Sequence, residues 1–182
     1  MITRMASSFA IGMCLASLTL AGRASAQEVT AEKSASNAIY VELAGNGGFY
    51  SVNYERYLRK DMSVRLGGMY MSVEATAGEA SGSASWITIP LMFNYLGVAA
   101  GNHALELGAG LDLMHFSAGA STFDATADAS GFVPVGTATV GYRYASRDGG
   151  FLFRAGYTPM FFVTTTQKEI FHWGGLSAGY RF

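Results

Sequence analysis

The sequence contains little cysteine, little proline and few charged residues. Its 182 residues include one cysteine and 3 prolines, and 14% are charged, against roughly 25% in a typical soluble domain. The cysteine, Cys14, falls in the predicted signal peptide, so no disulfide is available to stabilise the rest of the chain. The formal net charge of −1 gives no reason to expect a nucleic-acid partner, because such partners require a basic patch.

Residues 1–26 have the pattern of a cleaved secretory signal peptide. Arg4 supplies the positive start, a mostly apolar stretch covers residues 5–20, and small residues at 24–26 precede the expected cleavage site. A retained membrane anchor is the alternative, and the shortness of the apolar stretch disfavours it. No later stretch reaches the roughly 18 apolar residues of a transmembrane helix, so only a closed β-barrel could place the remaining chain in a membrane.

Glycine and aromatic residues are abundant, with 23 Gly, 10 Tyr and 12 Phe, and this composition favours β structure. After a flexible polar leader at 27–37, apolar and polar residues alternate in eight segments: 38–44, 49–58, 62–72, 85–96, 103–114, 132–144, 151–161 and 172–182. Short turns are predicted at 45–48, 59–61, 98–102 and 146–150, and longer loops at 73–84, 115–131 and 162–171. These features predict an eight-stranded antiparallel up-and-down transmembrane β-barrel over residues 38–182.

The polar faces of the predicted strands carry balanced charges. They hold four acids and four arginines: Glu42, Glu55, Arg65, Glu106, Asp112, Arg143, Arg154 and Arg181. No lysine falls within these segments. A dry lumen requires each buried charge to be paired, and the forked guanidinium group suits that pairing. We therefore predict a plugged lumen with an ion-paired network. A small pore is the alternative, although open channels usually need about sixteen strands.

The apolar faces are predicted to contact lipid. Aromatic residues cluster near both ends of the segments, as in the girdles of membrane barrels. The set predicted for the long-loop end is Tyr50, Tyr70, Trp86, Phe132, Phe161 and Trp173, and that for the short-turn end is Tyr95, Tyr142, Tyr144, Phe151, Tyr180 and Phe182. The alternative is a soluble, lipocalin-like binder with the aromatic residues inside.

The last segment ends in an alternating pattern of Leu176, Ala178, Tyr180 and the terminal Phe182. This pattern resembles the terminal-strand signal that the barrel assembly machinery reads in outer-membrane proteins. With the eight segments, it makes residues 38–182 similar to the small outer-membrane β-barrel superfamily that includes OmpX and the transmembrane domain of OmpA. The resemblance implies a location in the bacterial outer membrane and contact with its lipid. It also implies a non-enzymatic role in envelope structure or surface interaction, with no cofactor; the surface partner stays unknown.

One pair of residues suggests chemistry. His115 and Ser117 resemble the H-x-S pair of the lipid A deacylase family, in which the serine is the nucleophile and the histidine the base. The family's orienting glutamate has no match, since only Asp124 and Asp128 follow nearby. We expect an ordinary histidine and serine at the edge of a loop, and we predict no metal site, because His103 and His172 lack ligand partners at suitable spacing.

Overall fold

A computed structural model of the chain describes residues 35–78, 80–122, 124–163 and 168–182. The predicted signal peptide and most of the predicted leader lie outside these residues. The last leader residue, Asn37, already belongs to the first strand, so the barrel begins one residue earlier than predicted. None of the described residues forms a helix that is long and apolar enough to cross a membrane.

The described residues form ten β-strands. Their bounds are β1 Asn37–Ala44, β2 Tyr50–Arg59, β3 Met62–Ala77, β4 Ala80–Ala100, β5 His103–Ser121, β6 Thr126–Ala145, β7 Gly150–Tyr157, β8 Met160–Val163, β9 Lys168–Phe171 and β10 Gly174–Arg181. Side chains alternate between buried and exposed along most of their length, which is the period-two pattern that the sequence predicts.

The strands close into a ring of eight. Neighbours follow the order β5-β4-β3-β2-β1-β10-β7-β6, and β5 pairs with β6 to complete the circle. Every pairing is antiparallel. The predicted fold class, an eight-stranded up-and-down barrel, is therefore confirmed.

The two remaining strands are continuations of barrel strands. β8 follows β7 after Thr158 and Pro159, and β9 precedes β10 across His172 and Trp173. Proline has no backbone N–H, so it interrupts the ladder at this height. The Pro159 carbonyl still accepts a hydrogen bond from the Ala138 amide at 3.1 Å, and the Thr158 amide donates to Trp173 at 2.9 Å, so the two halves of each strand stay connected to the wall.

The predictions of three long loops are wrong. Residues 73–84 and most of 115–131 continue the strands as hairpins with short turns, and the ladder joins Ser72 to Ser85, Ser85 to Ser117, and Ser117 to Ser130. In the third, 162–171, the last two residues of β8 and all of β9 pair as a hairpin. The segments 73–84 and 115–131 consist mainly of Ala, Gly, Ser and Thr. Their alternation is regular, although most of their apolar side chains are small. Backbone pairing requires only that alternation, whereas the low hydrophobicity resembles that of a loop.

These hairpins extend beyond the other strands. β2 pairs with β3 only as far as Gly68, and β8 pairs with β6 only at Gly136 and Thr137. Four strands therefore continue without outer neighbours, and we call residues 71–77, 80–86, 116–121 and 126–131 the protruding sheet. Its inner face carries mainly Ala, Gly and larger apolar residues, and its outer face carries Ser, Thr, Glu74 and Asp128.

Closure of the ring predicts resistance to detergent. Folded protein loaded without heating should migrate differently in a detergent gel from protein heated beforehand. The wall of a closed barrel has no unpaired strand edge at which unfolding could begin. Protein unfolded in urea before loading is the control and should migrate with the heated sample. Identical mobility of unheated and heated protein would contradict a closed barrel.

Candidate functional site

The outer surface of the barrel is an apolar belt between two aromatic rows. Aliphatic residues such as Val41, Leu66, Leu91, Leu107 and Leu176 are about half exposed on this face. Exposed aromatic residues near the protruding sheet are Tyr50, Tyr70, Phe132, Tyr157, Phe161 and Phe171; those near the short turns are Tyr54, Tyr95, Tyr142, Phe151, Tyr180 and Phe182. This arrangement matches the lipid-facing surface of a transmembrane barrel.

The two tryptophans predicted for the lipid-facing rows lie elsewhere. Trp86 and Trp173 are half-buried and pack at the mouth of the lumen against the buried cluster Met114, Val135 and Met160. Phe49 bridges them, with ring centroids 5.3 Å from Trp86 and 6.4 Å from Trp173. Trp86 occupies an inward position of the β4 alternation, so the pattern itself should have assigned it to the lumen.

The lumen is filled in three layers. At the short-turn end lies an apolar cluster of Ala38, Tyr40, Tyr57, Leu96, Ala145 and Leu152. At the mouth lies the cluster of Met114, Val135 and Met160 beneath the tryptophans. Charged residues occupy the middle, and all eight of those predicted for the lumen are buried, with Arg181 the most exposed at 7%.

Six of the eight charges form one continuous network. It runs Arg65–Glu42–Arg154–Glu106–Arg143–Glu55, so acids and arginines alternate. Arg65 lies 3.2 Å from Glu42, which lies 3.5 Å from Arg154, and Arg143 lies 2.8 Å from Glu55. Buried charges are tolerated when opposite charges and hydrogen bonds surround them, and this network provides both.

Glu106 is the centre of the network. Arg154 donates two hydrogen bonds to its carboxylate, of 2.8 Å from Nε and 2.5 Å from Nη2. Arg143 Nε adds a third bond of 2.9 Å to Oε2. The planar guanidinium fork matches the carboxylate geometry, which a lysine cannot do. One carboxylate on β5 thus binds arginines from the next two strands around the ring, β6 and β7.

Arg181 and Asp112 stand outside this network. Arg181 stacks on the Tyr57 ring at 3.9 Å and donates to the Ala35 carbonyl at 2.9 Å, which holds the entering chain against the short-turn end. Asp112 is fully buried and forms no ion pair among the described residues; the Thr137 hydroxyl stabilises its carboxylate. Arg65 attracts this carboxylate and Glu42 repels it, without an ion pair forming.

Asn46 is a network residue that the sequence pattern did not identify. It lies in the first turn, yet it is fully buried, and its Oδ1 accepts bonds from Arg65 at 2.5 Å and Thr139 at 3.1 Å. Its Nδ2 donates to Thr137 at 2.5 Å. The turn folds inward because Gly45 has no side chain; a Cβ there would lie 2.5 Å from the Glu42 carboxyl carbon. An asparagine between glycines is typical of any turn, so no local signal marks it.

His115 and Ser117, the pair that resembles the lipid A deacylase motif, do not form a catalytic arrangement in the described structure. His115 and Ser117 lie within β5 rather than in a loop, both on the outer face, and no hydrogen bond joins them among the described contacts. His115 has Ile87 and Phe132 as its cross-strand neighbours. Asp128 lies opposite Gly119, on the side of Ser117 away from His115, so it cannot orient the imidazole.

The residues of the predicted assembly signal lie on the closing strand. Leu176, Tyr180 and Phe182 face outward with more than half of each side chain exposed. β10 pairs with β1, and the Asn37 and Phe182 backbones exchange two hydrogen bonds of 2.8 and 2.7 Å. Recognition of this strand by an assembly machinery stays a prediction. In the described part of the chain, no group of three His, Cys, Asp or Glu is placed to hold a metal ion.

Comparison with known proteins finds likeness in structure rather than in sequence. No protein-family model matches the chain, and no curated protein matches it. Ail, the attachment invasion locus protein of Yersinia pestis, is 16% identical with a TM-score of 0.51, over 82% of this chain and 97% of Ail. The N-terminal β-barrel domain of Pseudomonas aeruginosa OprF is 17% identical, over 82% of this chain and all (100%) of that domain, with a TM-score of 0.44. Neisserial surface protein A is 18% identical, over 81% and 97%, with a TM-score of 0.46.

The fold of this chain is thus the small outer-membrane barrel that Ail also has. A closed barrel satisfies every backbone group of its wall internally, and its apolar belt is suited to hydrocarbon rather than water. Together these features confirm the predicted fold class and agree with the predicted location in the bacterial outer membrane.

Substitution of the ion-paired acid, Glu106, and of the acid without an ion pair, Asp112, should have different effects on the free energy of unfolding. Glu106→Ala should lower the free energy of unfolding by about 3–5 kcal/mol, since Arg143 and Arg154 lose their shared partner. Asp112→Asn removes a buried charge without an ion pair and should be neutral or stabilising. Urea unfolding in lipid vesicles measures both, with Arg56→Ala on the exposed face as the control. Equal losses for Glu106→Ala and Asp112→Asn would contradict the network.

Proposed function

We propose that this chain is a non-enzymatic integral protein of the bacterial outer membrane with a surface-interaction role. In this proposal the barrel is a closed anchor, and the protruding sheet is the working part, which pairs with an extended segment of a partner protein. The observation that carries the proposal is the open edge of β3: from Met69 to Ala77, no strand of the described residues lies on the side of β3 away from β4. An unpaired edge is a template for adding a strand.

The closed lumen is supported by its three filled layers. The apolar cluster around Tyr57 and Leu152 blocks the short-turn end, and the cluster around Met114 blocks the mouth. Between them, the void beside Glu106 and Arg154 measures about 10 Å³. That volume is no larger than a single water molecule needs. An eight-stranded interior is just wide enough for its own side chains.

A closed lumen predicts no ion conduction. Purified protein in planar bilayers should give no stepwise current above the lipid baseline. The double variant Tyr57→Ala with Leu152→Ala, which removes only the plug at the short-turn end, should also give no stepwise current, because the charged layer and the cluster at the mouth remain. Stepwise conductance by the unchanged protein would contradict the plug and favour the small-pore alternative.

The orientation of the β3 edge follows from one hydrogen bond. The hydroxyl of Tyr50 on β2 donates to the backbone carbonyl of Tyr70, so this carbonyl points away from β4. In a strand, carbonyl and amide directions alternate from residue to residue. The backbone groups of Ser72, Glu74 and Thr76 therefore also point to the open edge, and they present a short row of donors and acceptors.

The opposite edge, on β6, is less suitable for pairing. The Ala138 amide donates to Pro159, so even-numbered residues of β6 point to this edge. Pro134 is among them and has no N–H to donate, whereas β3 contains no proline; each edge carries one acid, Asp128 on β6 and Glu74 on β3. Proline is one of the usual means by which edge strands avoid unwanted pairing. The partner is therefore expected on β3.

A polyanion is a less suitable partner. Ail has been solved in complex with the heparin analogue sucrose octasulfate. The protruding sheet of the present chain contains Glu74 and Asp128, and residues 68–85 and 115–135 include no lysine or arginine. Sulfate groups would meet negative charge at this surface, so the proposal is an uncharged or basic extended peptide.

Proline substitution at the β3 edge tests the proposal. Random peptides displayed on phage are selected on the protein in nanodiscs, and the affinity of the selected peptides is then measured. Glu74→Pro removes an outward N–H and should weaken binding at least tenfold, because the ladder to β4 does not use that group. Glu74→Ala is the matched control, since it changes the same side chain and keeps the N–H. Equal binding by both variants would contradict edge pairing.

A further inference from the structure

A cavity of about 390 Å³ lies at the base of the protruding sheet. Inward side chains of all four of its strands form the walls. Those that shape it most are Met71, Val73, Ala84, Trp86, Phe116 and Ala118. Trp86 and Phe116 make the floor, with ring centroids 5.2 Å apart, and they separate the cavity from the filled lumen beneath.

The lining is apolar throughout. No charged residue contributes to it, and its hydroxyl residues, Ser85, Ser117 and Ser130, occupy outward positions of their strands. The volume exceeds the roughly 150 Å³ that binds benzene in an engineered protein cavity, and it falls in the range of about 300–1,000 Å³ typical of ligand sites. Small side chains at Ala84 and Ala118 create this space, since larger residues there would fill it.

The height of the cavity indicates what occupies it. Its floor residues Trp86 and Phe116 lie beside Ile87 and His115, in the cross-strand row that also holds Tyr70 and Phe132 on the outer face. Exposed Tyr70 and Phe132 belong to the aromatic row at the membrane interface. The cavity therefore opens at the level where hydrocarbon chains of the outer leaflet end.

Part of the wall opposite the protruding sheet is low. β1 ends and β2 begins at the tight turn before Tyr50, so the edge of β3 has no neighbour among the described residues at the height of the cavity. Phe49 lies at this gap, half exposed, with its ring against Trp86. An apolar chain can thus enter from the side of the bilayer without crossing the charged network.

We propose that this cavity binds the single alkyl chain of an amphiphile whose polar end stays at the membrane surface. The absence of lining charge means that the chain, rather than the head group, provides the recognition. The cavity uses inward side chains and the peptide would use backbone groups of the β3 edge, so the two sites share no binding group, although an added strand would border the gap through which the alkyl chain enters.

Fluorescence of Trp86 tests this site. Trp173→Phe leaves Trp86 as the single tryptophan of the barrel, and 12-bromododecan-1-ol serves as a quenching probe in nanodiscs of unbrominated lipid. We expect saturable quenching, whereas brominated phospholipid at the same bromine density should quench little, because Trp86 faces inward. Combined Ala84→Leu and Ala118→Leu should fill the cavity and weaken the saturable quenching at least tenfold.

Ala127→Leu is the matched control, because Ala127 lies on the same inner face beyond the cavity and its variant should still be quenched. All variants must keep the gel shift of the folded barrel, and a single Ala118→Leu replaces the pair if the double variant fails to fold. Quenching that does not saturate, that brominated phospholipid reproduces, or that survives filling of the cavity would overturn the proposal. Saturable quenching by bromobenzene but not by the bromoalkanol would do so as well.

Discussion

The carboxylate of Glu106, bound by two arginines in the middle of the barrel, is the interaction on which the rest of the structure depends. A barrel with an apolar exterior must place its polar residues inside, and eight strands leave no room there for a bulk water column. Each buried charge then needs a partner from another strand. The alternating chain from Arg65 to Glu55 satisfies this need and fixes which strands face each other across the lumen.

The network also accounts for the small residues around it. Gly141 and Gly156 meet across β6 and β7, where a Cβ on Gly141 would lie 2.7 Å from the Gly156 Cα. Such close approach of inward positions leaves space for the arginine side chains that reach across. The pattern of charges and glycines is therefore one packing solution, in which long side chains from some strands lie over bare backbone in others.

Alternation in the sequence predicted the number of strands in the ring, the antiparallel order and the inward position of all eight charges. A strand with one buried face alternates between inward and outward side chains, and this alternation is visible in the sequence. It did not predict the extent of the hairpins, since Ala, Gly and Ser carry too little hydrophobic contrast to mark a strand. Nor did it predict the burial of Asn46, which depends on how the first turn folds over the lumen. The pairing partners within the network depend on strand register, which no local pattern specifies.

The ring closes where the Asn37 and Phe182 backbones bond to each other, so the two ends of the barrel segment are neighbours in space. A covalent link between them would continue an existing ladder rather than cross the wall. New chain ends could then be opened in the distal hairpins, between Ala77 and Ala80 or between Ser121 and Thr126, where no wall pairing is lost. The order of the strands along the chain is thus separable from their order around the barrel, and circular permutation would leave the fold intact.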